Sequence, residues 1–145
     1  MKTFLAFTIV LSVVLLAACG KDKFETKPDL EFVDYNKIVD SAGILKFRIN
    51  YFDKEGDLSQ APFTAVRVRL NKFPPPPPIL ADVYNSNLPE FPEKNKAEIT
   101  FQLGYSSLDE SINQNDSMLF KFVVTDKAGN MSDTLTSDLI VARKP

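Results

Sequence analysis

The sequence predicts an all-β fold, an antiparallel sandwich of about seven strands. Three observations point to it. Apolar and polar residues alternate along several stretches, as where Leu45, Phe47, Ile49 and Tyr51 interleave with Lys46, Arg48 and Asn50. Turn-forming clusters such as Asp53-Lys54-Glu55-Gly56-Asp57 separate these stretches. No stretch beyond the N-terminal segment holds a sustained helical period.

That N-terminal segment is of another kind. Lys2 gives a positive start, Phe4 to Leu16 is almost wholly apolar, and Ala17-Ala18 are small. This is the build of a secretory signal, expected to be helical. Its apolar run is shorter than the roughly 20 residues that span a bilayer. Leu16-Ala17-Ala18-Cys19 resembles the lipobox of bacterial lipoproteins. The resemblance implies a diacylglycerol on the Cys19 thiol and cleavage just before it. Cys19 is the sole Cys in 145 residues, so it forms no internal disulfide, and lipidation accounts for it. The expected organisation is a signal peptide over 1–18, a lipidated Cys and flexible tether over 19–28, and the sandwich over 29–145. The polar tether, fully extended, reaches about 30 Å.

The strands follow in order. Residues 29–34 hold Leu30 and Phe32 in phase, with Val33 off phase. The stretch from Leu45 to Tyr51 is the clearest strand, half buried with one wet face. Over 63–70, Val66, Val68 and Leu70 are expected inward, with Ala65, Arg67 and Arg69 outward. Pro74 to Pro78 lack donor N–H groups and cannot join a central ladder. They are expected to form a short, stiff polyproline II segment. Ile79 to Tyr84 is expected as a brief edge strand, and Asn85 to Asn95 as loop. Ala97, Ile99, Phe101 and Leu103 alternate again. A polar connection with one helical turn is expected over 106–116. Met118, Phe120, Phe122 and Val124 form the next apolar face. Asp126-Lys127-Ala128-Gly129-Asn130 reads as a hairpin turn, with Gly129 and Asn130 able to take positive φ. Leu135, Leu139 and Val141 are expected inward on the last strand. Strands at this spacing argue for an immunoglobulin-like sandwich. The chain also resembles lipoproteins of Bacteroidetes-type bacteria, which carry an Asp-x-x-Gly-Asp turn after an early strand and an Asp-x-x-Gly-Asn hairpin before the last. That resemblance implies a fold and no activity.

Composition excludes several function classes. There is no His, so Ser–His and Cys–His nucleophiles and His-ligated zinc are out. Five Gly residues make no phosphate-binding loop. The formal net charge is −2, with charges spread along the chain, and no basic face for nucleic acid emerges.

Two groups of residues are candidate sites. Loops after the second strand and before the last lie at the same end of such a sandwich. Asp53, Glu55 and Asp57 are therefore expected near Asp126 and Asn130. Clusters of this kind can bind Ca²⁺, which takes 6–8 oxygen ligands. The same residues also shape turns, and Lys54 and Lys127 partly neutralise them. The second group is Phe73 with Pro74, Pro75, Pro76, Pro77 and Pro78. Proline-rich segments dock into aromatic grooves of partners, or serve as rigid spacers. Phe47, Tyr51, Phe101, Phe120 and Phe122 are expected in the core.

The sequence therefore predicts a lipid-anchored cell-envelope module that binds or supports and does not catalyse. The alternative is a small enzyme or accessory acting on envelope glycans or peptides. Expected partners are the membrane, through lipid on Cys19, and an envelope protein or glycan. Gly20 follows Cys19, not the Asp that retains many enteric lipoproteins in the inner membrane, so the outer membrane is the expected location.

Overall fold

A computed structural model of the protein describes residues 26–145. Cys19, the predicted signal peptide and most of the predicted tether lie outside the described residues. The strands are β1 (Asp29–Tyr35), β2 (Ile38–Val39), β3 (Ile44–Phe52), β4 (Pro62–Arg69), β5 (Val83–Asn87), β6 (Lys96–Gly104), β7 (Asp116–Val124), β8 (Leu135–Thr136) and β9 (Ile140–Ala142). A 3₁₀ turn, Tyr105–Ser107, supplies the helical turn expected in the polar connection. Among the described residues, no helix is long and apolar enough to cross a membrane.

Two sheets pack face to face. The smaller runs β1-β3-β6 and the larger β2-β9-β7-β4-β5, with β8 added against β7. The partition puts β1, β3 and β6 in one sheet and β4, β7 and β9 in the other, as in an immunoglobulin-like sandwich. All pairings are antiparallel except β2 with β9, which is parallel.

Alternation builds the core. Leu45, Phe47, Ile49 and Tyr51 of β3 are buried, and so are Met118, Phe120, Phe122 and Val124 of β7. The Phe47 and Phe122 rings meet edge to face, centroids 4.8 Å apart. Such a pair adds about 0.5–1.5 kcal/mol beyond burial. Phe101, also expected inside, is half buried and packs on both Phe120 and Phe122. Val33 is off phase because the register of β1 on β3 slips between Phe32 and Asp34, a bulge that leaves Val33 exposed.

Several expectations need correction. In β4 the phase is inverted: Phe63, Ala65 and Arg67 face inward, Val66 and Val68 are half buried, and Leu70 is exposed. Phe63 and Ala65 set the inward phase, and acidic partners let Arg67 follow it. The last strand is two pieces. Leu135 is partly buried on β8, then Ser137 turns inward and its hydroxyl accepts the Phe120 amide at 2.9 Å. After this break Ile140 and Ala142 are buried and Leu139 is exposed. The edge strand begins at Val83, not Ile79, and runs to Asn87 inside the segment expected to be loop. The proline run bends at Pro77 and Pro78, so it is not one straight polyproline helix. The tether docks before residue 29: Pro28 is buried and Lys27 pairs with Asp133.

Candidate functional site

Two loops build the principal site. The first leaves β3 at Asp53, whose amide donates to the Asn95 carbonyl at 2.9 Å. Gly56 turns the chain at φ +70°, in the left-handed region that favours glycine, and a Cβ there would come within 3.2 Å of the Lys94 backbone. The turn brings the Asp57 amide back to donate to Asp53 Oδ2 at 3.0 Å. The second loop leaves β7 at Asp126. Its Oδ1 accepts the Asn130 amide at 2.7 Å, its Oδ2 accepts Asn130 Nδ2 at 2.8 Å, and Gly129 takes φ +91°. Asn130 was expected to be able to take positive φ; it braces Asp126 instead.

These loops converge as the topology predicts. Asp53, Asp57 and Asp126 each bring one carboxylate oxygen within 4.8 Å of the others. Of the expected acids, Glu55 falls outside that group. Glu55 is exposed at the tip of its loop, and Asn130 meets Asp126 through its N–H groups. Asp53 is fully buried. Burial pushes its carboxyl above the ordinary range; the Asp57 amide pulls it back, and the negative charge of Asp57 pushes it further up. Asn130 Nδ2 also donates to the Thr26 carbonyl at 3.2 Å, so the chain enters the sandwich beside this cluster.

A second cluster was not foreseen. Arg67, with no exposed side-chain surface, donates to Asp82 Oδ1 at 3.1 Å and to Glu110 Oε1 at 3.3 Å. It also donates to the Ser107 and Ala81 carbonyls, both at 2.9 Å. Arg69 grips Glu110 at 2.7 Å through both Nε and Nη2, and pairs with Asp82. Burial alone would raise the Glu110 carboxyl, but hydrogen bonds from Arg69 and the Leu80 amide, with the Arg67 and Arg69 charges, hold it below its ordinary range. The available signal was the shared phase of Phe63, Ala65, Arg67 and Arg69.

This cluster braces the proline loop. The Leu80 amide donates to Glu110 at 2.8 Å, and Arg69 donates to the Leu80 carbonyl at 2.8 Å. At the loop's other end Gln114 Nε2 reaches the Phe73 carbonyl at 3.3 Å. Phe73 itself is 60% exposed. Pro74, Pro76, Pro77 and Pro78 are exposed and Pro75 is half buried.

A cavity of about 510 Å³ opens between edge strands β5 and β6, lined by Tyr51, Phe63, Phe91 and Phe101 among others. Sequence reasoning missed it; Phe91, set between Pro89 and Pro92, was its one visible sign. Glu98 on its rim is held by Arg48 at 2.7 and 2.8 Å.

No protein-family model matches the chain, and no curated protein does. Among solved structures, the chain is similar to part of a β-glucosidase from Listeria innocua in complex with gluconolactone, at 10% identity and TM-score 0.43. That match covers 81% of this chain and 16% of the glucosidase, so the chain spans a small part of that enzyme's length. The CARDB domain of a Pyrococcus furiosus protein in complex with di-metal ions is similar at 9% identity and TM-score 0.35, covering 86% of this chain and 95% of that domain. Likenesses this slight carry no argument about function.

Proposed function

We propose that the protein is a lipid-anchored binding module of the bacterial cell envelope, held on the outer membrane through Cys19 and without catalytic activity of its own. The observation that carries the binding role is the braced proline loop. Phe73 stays exposed while Gln114 fixes the loop at the Phe73 carbonyl and Arg69 and Glu110 fix it at Leu80. An exposed aromatic on a fixed, proline-stiffened loop loses little conformational freedom on binding. It suits an envelope protein that offers an aromatic-lined groove. The anchor rests on the Leu16-Ala17-Ala18-Cys19 pattern and the solitary thiol. The acids also favour a module over an enzyme: Glu110 and Glu98 are engaged by arginines, so neither is free as a general acid or base.

A photo-crosslinker placed at residue 73 in intact cells should capture one envelope protein, and the same group at Lys121 should not. Equal capture at both positions contradicts the loop's role. Mass spectrometry of the mature N-terminus should find a diacylated Cys19, and an unmodified thiol contradicts the anchor.

A further inference from the structure

Asp53, Asp57 and Asp126 form a single-sign group, Asp53 and Asp126 buried and Asp57 half-buried, with incomplete hydrogen bonding. Asp53 Oδ1 is fully enclosed and accepts no hydrogen bond among the described residues, and Asp57 Oδ1 is in the same condition. Enclosed carboxylate oxygens without a donor are costly, and native structures seldom leave them so. No Lys or Arg forms an ion pair with any of the three acids among the described residues. No described residue supplies the missing positive charge.

We propose that Asp53, Asp57 and Asp126 hold one Ca²⁺ ion between the two loops. The ligand type is right, since Ca²⁺ is a hard cation that takes carboxylate oxygens. The three carboxylate oxygens lie within 4.8 Å of one another, close enough to share one ion. Ca²⁺ accepts an irregular set of oxygens, whereas Mg²⁺ demands a near-ideal octahedron. Asn130 supplies the outer support: its two N–H groups fix the Asp126 carboxylate, and each oxygen keeps a lone pair for the ion. The loop glycines place the acids, Gly56 folding Asp57 back on Asp53 and Gly129 closing the turn after Asp126. Because Asn130 also holds Thr26, the ion stiffens the point where the chain enters the sandwich. Under the anchored reading above, that is the end facing the membrane.

The test is thermal melting of the full chain in detergent, with a chelator, with millimolar Ca²⁺ and with millimolar Mg²⁺. It is paired with calorimetric titration of Ca²⁺ alone. Neither readout depends on lipidation or on a partner. Wild type should bind one Ca²⁺ per chain and gain roughly 4 °C or more in Tm. Mg²⁺ should give a smaller gain. Asp57→Asn should fold and lose both binding and the gain. Glu55→Gln, in the same loop but outside the group, should keep both. Absence of Ca²⁺ binding, an equal gain from Mg²⁺, a gain that survives Asp57→Asn, or one lost in Glu55→Gln overturns the proposal.

Discussion

The two ends of the sandwich hold buried charge in opposite ways. Where β4 ends, Arg67 and Arg69 meet Glu110 and Asp82, and each charge has an opposite partner within the chain. At the other end Asp53, Asp57 and Asp126 share one sign, and two enclosed oxygens accept no hydrogen bond among the described residues. Strand register fixes the separation. Arg69 pairs with Met118 at one end of β7, and Phe63 pairs with Val124, two residues before Asp126, at the other. Burial is similar at the two ends and the supply of counter-charge differs. The first cluster is complete as folded and braces a loop; the second has no counter-charge among the described residues.

The largest effect should come from breaking the complete cluster. Glu110→Ala leaves the enclosed Arg67 short of its buried partner and should cost about 3–5 kcal/mol in urea denaturation. A loss below about 1 kcal/mol would mean that Asp82 and the carbonyls suffice.

Acid should act on the same end. Burial would raise the Asp116 carboxyl, but donors from Ser111, Glu110 and Asn71 hold it below its ordinary range, and Glu110 is lowered as well. A lowered folded pKa adds stability that is complete above the ordinary carboxylate range, about pH 4. That stability is lost as pH falls through the lowered values. Stability measured from pH 6 downward should therefore fall below about pH 4, and Asp116→Asn should flatten the fall. An unchanged slope in that variant would remove Asp116 from the account.

The opposite end should answer with the opposite sign. In chelator, Asp57→Asn removes one of three like charges and offers an N–H beside a bare carboxylate. It should cost nothing and gain about 1 kcal/mol. A loss of the size expected for Glu110→Ala would make the two ends alike. Smallest of all, Glu55→Gln should stay within about 0.5 kcal/mol, as an exposed site does.

These contrasts also show what was legible in the sequence. β3 and β7 read correctly because Phe, Ile, Leu and Met mark the inward phase without competition. The Asp53 and Asp126 turns read correctly because glycine and carboxylates mark them locally, and the common sandwich order then predicts their meeting. β4 was misread because hydropathy places any arginine outside. What turns Arg67 inward is Asp82 and Glu110, residues distant in sequence whose approach no local pattern announces. The final strand failed for a related reason: Ser137 enters the interior by bonding the Phe120 amide, and the phase changes across it. Glu55 shares a turn with Asp53 and Asp57, but it is exposed and lies outside the group they form with Asp126.

The most direct measurement is a crystal structure grown with Ca²⁺ and refined against anomalous data. The account predicts a single calcium peak among Asp53, Asp57 and Asp126, with oxygens at about 2.3–2.6 Å. A side-chain donor or an ordinary water completing Asp53 Oδ1, with no anomalous peak, would contradict it.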